Sequence, residues 1–115
     1  MNTPIYKICE RAEWEKARSR GRYAGSGDDI RDGFIHFSTA GQLGETAAKH
    51  FAGRENLVLV AVETSSLGNA LKWEPSRGGA LFPHLYGALD MSAVRSVHPL
   101  PLGADGVHRL PEEIA

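Results

Sequence analysis

Apolar and polar positions along this chain sort into short blocks with two different periods. Residues 5–9 (Ile-Tyr-Lys-Ile-Cys) read as a first strand. Residues 10–20 follow with helix formers, and Trp14 and Ala17 fall three apart on one face. Gly21 is a fitting stop. Residues 23–32 hold Gly25, Ser26 and Gly27 followed by Asp28, Asp29, Arg31 and Asp32, a composition that predicts an exposed, mobile loop. Residues 34–37 read as a second strand. Thr39 with Gln42 three positions on is a capping-box pattern, and Leu43, Ala47, Ala48 and Phe51 then share one helical face that ends near Ala52 and Gly53.

Leu57–Val62 is six aliphatic residues without alternation, which predicts a central strand covered on both faces. Residues 65–69 read as a turn, 70–74 as a strand around Trp73, and 75–79 as a loop with Arg77 ahead of two glycines. Residues 81–86 form another strand, which Pro83 should confine to an edge or an end. Asp90 can cap a turn before a last strand, Val94–Leu100. Strands and helices without regular alternation favour an α+β fold: one domain over residues 1–102 with two main helices, and a C-terminal tail over 103–115 that reads as extended or weakly held.

Composition narrows the function classes more than it names one. In 115 residues, 13 Lys and Arg oppose 14 Asp and Glu, which argues against general nucleic-acid binding and against an anionic lipid surface. The longest apolar run is far short of the ~20 residues of a membrane span. The first residues lack the basic and apolar regions of a signal peptide, so the expected location is cytoplasmic. A single cysteine, Cys9, excludes an intrachain disulfide framework. The five histidines, His36, His50, His84, His98 and His108, show no tight ligand spacing, and no metal site is expected.

Candidate chemistry gathers in two stretches. In Gly33-Phe34-Ile35-His36-Phe37-Ser38-Thr39, strand alternation puts Phe34, His36 and Ser38 on one face. The helix opening at Ser38 and Thr39 would present free N–H groups beside His36, an arrangement suited to an anion. The plainer reading is that Thr39 caps its own helix and His36 is a hydrogen-bonded core residue. In Phe82-Pro83-His84-Leu85-Tyr86-Gly87, the residues Phe82, His84 and Tyr86 share a face, and an imidazole beside a phenol can hold a ligand by stacking and hydrogen bonding. Its plainer reading is a half-buried strand. Arg77 could close over a phosphate or carboxylate. Lys7 inside an apolar strand is explained either by a ligand or by edge protection. Glu63 and Glu74 each end a strand-like run without a visible partner.

Taken in order, Ile5-Tyr6-Lys7-Ile8 with Trp14, the Gly33–Thr39 stretch and the Phe82–Gly87 stretch resemble the bacterial domain-of-unknown-function (DUF) 952 family. Through the Gly-aromatic strand and the small-residue helix of residues 33–51 the chain also resembles the ADP-ribosyltransferase-like superfamily. That resemblance implies a split, mostly antiparallel pair of β-sheets around a cleft for NAD or an ADP-ribose-like ligand. It implies catalytic roles for His36, His84 and Tyr86, and ligand-binding roles for Lys7, Ser38, Thr39, Glu74 and Arg77. The sequence departs from the superfamily at the first strand, where Lys7 stands in place of His or Arg, and on the late strand, which carries His84 and Tyr86 without a glutamate. Three functional expectations follow. An ADP-ribosyltransferase-like or 2′-phosphotransferase-like enzyme needs His36, His84 and Tyr86 to converge. A binding module needs the same convergence with no carboxylate within reach. A structural or interaction domain needs the two histidines buried, separately satisfied and far apart.

Overall fold

The computed structural model describes residues 3–112 and residue 114, with Arg77 described by its backbone alone. Among the described residues the chain forms, in order, β1 (Ile5–Glu10), α1 (Arg11–Arg20), β2 (Arg22–Tyr23), α2 (Gly27–Asp32), β3 (Ile35–His36), α3 (Leu43–His50), β4 (Leu57–Val62), β5 (Leu71–Pro75), β6 (Leu81–Leu85), β7 (Leu89–Asp90) and β8 (Val94–Leu100). One sheet has the order β1-β4-β8, a second β3-β6-β5, and β2 and β7 form a small third; the paired strands run antiparallel. The result is a single α+β domain of helices and antiparallel sheets.

The aliphatic run takes the place its pattern predicts. All six residues of β4 are buried, and β4 is the middle strand of its sheet. Its two faces feed two cores. Val58, Val60 and Val62 pack with Ile5, Cys9, Trp14 and Tyr23, while Leu57, Leu59 and Ala61 pack with Tyr6, Ile8, Leu43 and Leu100. A continuous apolar run is what a strand buried on both sides requires.

The free edge of β1 is covered. Tyr6 and Ser38 exchange two backbone hydrogen bonds of 2.8 Å each, so the chain leaving β3 docks on β1 and ties the two larger sheets together. That junction brings the His36–Ser38 segment beside Lys7.

Three sequence expectations are corrected. Residues 23–32 are not a mobile loop: Tyr23 enters β2, and Gly27–Asp32 is helix α2. The helix is closed at its start by a capping box between Ser26 and Asp29, and at its end by Gly33 at φ 86°. Composition pointed to a loop because Gly and Asp are poor helix formers, and the tertiary contacts of Asp29 override that preference. Second, β6 is a central strand despite Pro83. Phe37 N–H bonds to Pro83 O at 3.0 Å, and β3 leaves the ladder at that point, so the missing proline N–H falls where the partner strand ends. Third, the helix after Thr39 opens as a 3-10 turn, Ala40–Gln42, and α3 ends at His50 rather than near Gly53. The expected Asp90 cap is present, with its side chain accepting from Ser92 N–H at 2.9 Å.

After β8 the chain turns back on itself. Leu102 bridges His108, the buried His108 ring bonds to Arg54 O at 2.8 Å, and Leu110 packs against the Leu57–Leu59–Leu100 core.

Candidate ligand cleft

The antiparallel register of β6 with both neighbours is what assembles the site. His84 lies opposite His36 of β3 on one side and Lys72 of β5 on the other, and Glu74 lies opposite Phe82. Side chains of one face therefore meet across three strands. The His36 and His84 ring centroids are 5.5 Å apart. Phe34 joins them, stacked on His84 at 4.1 Å and tilted against His36 at 4.6 Å and Tyr86 at 5.2 Å. His36, His84 and Tyr86 gather around Phe34, but only the two histidines line the cleft described below; the histidines are close together, and each is satisfied by its own carboxylate.

Each histidine carries its own carboxylate. His84 is buried, and its Nδ1 lies 2.7 Å from Glu74 Oε1, the same oxygen that accepts from Tyr86 Oη at 2.8 Å. The hydrogen bonds from His84 and Tyr86 hold the Glu74 carboxyl below the usual carboxylate range, and the bond to Glu74 in turn raises Tyr86. An ionised Glu74 only accepts, so the proton of a neutral His84 sits on Nδ1 and the lone pair on Nε2. Among the described residues His84 Nε2 makes no hydrogen bond.

His36 is bracketed by α2. Its Nδ1 lies 2.6 Å from Asp29 Oδ1 and its Nε2 3.0 Å from Asp32 Oδ2. Asp29 is 2 % exposed and also receives Lys7 Nζ at 2.7 Å, Ser26 N–H at 2.9 Å and His36 N–H at 3.1 Å. Burial alone would push the Asp29 carboxyl up. The hydrogen bond from His36, the charge and hydrogen bond of Lys7 and the Ser26 N–H outweigh it and hold the group far below the usual range. Lys7 is thus buried and neutralised from inside the protein, not set on the edge for protection.

A cleft of about 250 Å³ opens between α2, β1, the end of β3 with the segment after it, α3 and β6. Its walls include Lys7, Asp29, His36, Ser38, Phe82 and His84. Ser38 Oγ shares a 2.9 Å hydrogen bond with Thr46 Oγ1 at one side. Thr39 is not in the wall: its N–H donates to Gln42 Oε1 at 3.0 Å in the capping box, so the expected anion site at that helix start is closed on itself. Glu74 and the exposed Tyr86 are not in the wall and reach the cleft only through His84, which Glu74 holds. The Arg77 side chain lies outside the described residues. Cys9 is buried, and desolvation pushes its thiol up to about 12, which leaves it inert. Among the described residues no group of three or more His, Cys, Asp or Glu side chains is arranged to hold a metal ion, and no helix is long and apolar enough to cross a membrane.

Sequence reasoning missed Asp29, Asp32 and Thr46. The signal for Asp29 was present as Ser26 followed three residues later by a carboxylate.

The model of the family described as "Protein of unknown function (DUF952)" matches residues 8–97. The chain belongs to this family. The fold is shared with protein CC0527 of Caulobacter crescentus. Its crystal structure has a TM-score of 0.93 at 55% identity, covering 97% of this chain and 98% of that one. Its solution NMR structure gives 0.86 at 56% identity, covering 96% of each. A comparison with curated proteins gives no match.

Proposed function

We propose that the cleft binds a small ring-bearing ligand and that His84, oriented by Glu74, acts on it as a general base. One observation carries this reading. Glu74 Oε1 collects His84 Nδ1 at 2.7 Å and Tyr86 Oη at 2.8 Å, which fixes the imidazole in the tautomer with a basic Nε2 at the cleft wall. A binding module was expected to lack a carboxylate within reach of the converging residues. Glu74 is within reach, which favours acid–base chemistry over binding alone. His36 and Phe82 in the cleft wall would hold the ring by stacking and edge contacts, with Phe34 packed against His36 and His84.

The finer reading is a nucleotide or ADP-ribose-type ligand, and it rests on the superfamily resemblance. With NAD as substrate, the C1′–N bond breaks and nicotinamide leaves with the bonding pair. A water or acceptor hydroxyl forms the new C1′–O bond, and its proton passes to His84 Nε2. Lys7 supplies little free charge for a phosphate, because Asp29 already neutralises it.

The test is an NMR titration with NAD and, separately, ADP-ribose, following His36, Ser38, His84 and Tyr86 together with free nicotinamide. Shifts at these residues with nicotinamide release support the reading. Glu74→Gln should keep the shifts and slow release by about 10²-fold or more. No shifts at millimolar ligand removes this ligand class. Release unaffected by Glu74→Gln removes His84 and Glu74 from the chemistry.

A further inference from the structure

We infer that His36 is a proton-operated latch that holds helix α2 closed over the cleft, an inference that deepens the cleft reading above and takes its consequence for ligand access from it. The geometry is specific. Both ring nitrogens of His36 face carboxylates three residues apart on one helix, Nδ1 on Asp29 at 2.6 Å and Nε2 on Asp32 at 3.0 Å. Nδ1 makes a hydrogen bond and Nε2 an ion-pair contact, and because ionised carboxylates have no proton to give, both are favourable together only with the imidazolium. When the ring loses one proton, one nitrogen turns a lone pair towards a carboxylate and that contact is lost.

The structure decides which bond goes. Asp29 is buried and has three other donors, Lys7 Nζ, Ser26 N–H and His36 N–H. Asp32 is exposed, its other oxygen takes Arg31 Nε at 3.2 Å and no further donor among the described residues, and it is the last residue of α2, where the helix dipole disfavours negative charge. The Asp32 contact is the one released. The start of α2 then stays pinned at Asp29, while its last turn is free to move at Gly33, whose φ of 86° makes it a natural hinge. Asp28, Arg31 and Asp32 form the α2 wall of the cleft, and Phe34 follows directly and covers His84. Protonation of His36 closes this wall and deprotonation opens it.

The other charged and titratable groups around His36 are Lys7 from β1, Asp28 and Arg31 from α2, His84 from β6 with Glu74 of β5 behind it, Tyr86 beyond β6, and His50 from α3 across the cleft. None of these bonds to the His36 ring nitrogens among the described residues.

The experiment uses the ligand-free protein. Amide hydrogen exchange is measured at Gly33 and Phe34, whose N–H groups bond to Asp29 O at 2.9 and 3.2 Å, across roughly pH 5 to 8, where histidines change charge. The His36 ring nitrogens are followed by ¹⁵N NMR in the same samples. Protection factors should fall about three- to tenfold as the His36 signals report loss of the proton. Asp32→Asn should stay protected throughout, because an amide can meet Nε2 as either acceptor or donor. Asp32→Ala should be weakly protected at every pH. Wild-type protection that ignores the His36 titration, or Asp32→Asn tracking the wild type, overturns the latch. ADP-ribose affinity measured over the same range is the separate arm: a latch that moves without any ADP-ribose binding leaves the inference standing and removes the ligand class instead.

Discussion

Asp29 is the residue on which the site depends most, because it ties together three segments distant in sequence: β1 through Lys7, its own helix start through Ser26, and β3 through His36. Removing either end of a buried ion pair leaves an uncompensated charge, but the two ends are not equal here. Lys7→Met leaves Asp29 with its remaining donors and should cost about 1.5–3 kcal/mol. Asp29→Ala strands the buried ammonium and the Ser26 and His36 N–H groups together, and should cost about 3–5 kcal/mol. Urea unfolding of both variants checks the order; equal losses would mean that the ion pair alone matters. The pH dependence has a definite sign. Because the folded protein depresses the Asp29 carboxyl, its contribution is complete above the unfolded carboxylate pKa of about 3.9 and is lost as pH falls below that towards the depressed folded value. Acid unfolding of the wild type should therefore steepen below about pH 4. The same limb should be shallower in Lys7→Met, where one cause of the depression is gone.

At the scale of elements, the chain was most legible where one physical signal dominated. β4 was visible as an unbroken aliphatic run, and α1 placed Trp14 and Ala17 inward as its spacing required. The Asp90 and Thr39 caps followed from residue type. Helix α2 was not legible, because six residues with one glycine and three aspartates have little helical preference of their own. It forms because Asp29 satisfies the helix start and the buried Lys7 at once. Two glycines test this. Gly33 closes α2 at φ 86° with nothing within 4 Å of an added Cβ, so Gly33→Ala meets backbone strain alone, about 1–2 kcal/mol. Gly25 has φ 111°, and its added Cβ would stand 2.7 Å from Asp29 Cβ. Gly25→Ala should therefore cost more than Gly33→Ala in urea unfolding. It should also shift the His36 and Lys7 NMR signals, because Asp29 has to move. Similar losses for the two, with the His36 signals unmoved, would mean that α2 is not positioned through Asp29.

Across the whole molecule, the candidate site was legible in parts and illegible in its connections. His36, His84 and Tyr86 could be named because alternation puts each on a definite strand face, but their carboxylates come from positions 29, 32 and 74, and only the register of β3-β6-β5 and the docking of α2 pair them. Partners that meet through tertiary contact leave no spacing in sequence. Residues 103–115 pose the same difficulty, since Pro, Gly and charge conceal the contacts the segment makes. His108 is 7 % exposed and bonds to Arg54 O across 54 residues, while Leu110 packs on the Leu57, Leu59 and Leu100 core. Ending the chain after Leu102 would leave the Arg54 carbonyl without that partner and bare one side of this core. The expected loss is about 2–4 kcal/mol, from one hydrogen bond and the burial of a leucine. None of the described residues beyond Leu102 lines the cleft, so ligand-induced shifts at His36 and His84 should survive the truncation under conditions where the shortened chain is folded. Lower urea stability with an unaltered titration would establish the segment as part of the domain and separate from the site. Unchanged stability would mean that the His108 and Leu110 contacts contribute nothing, and that the Leu57–Leu59–Leu100 core is complete without them.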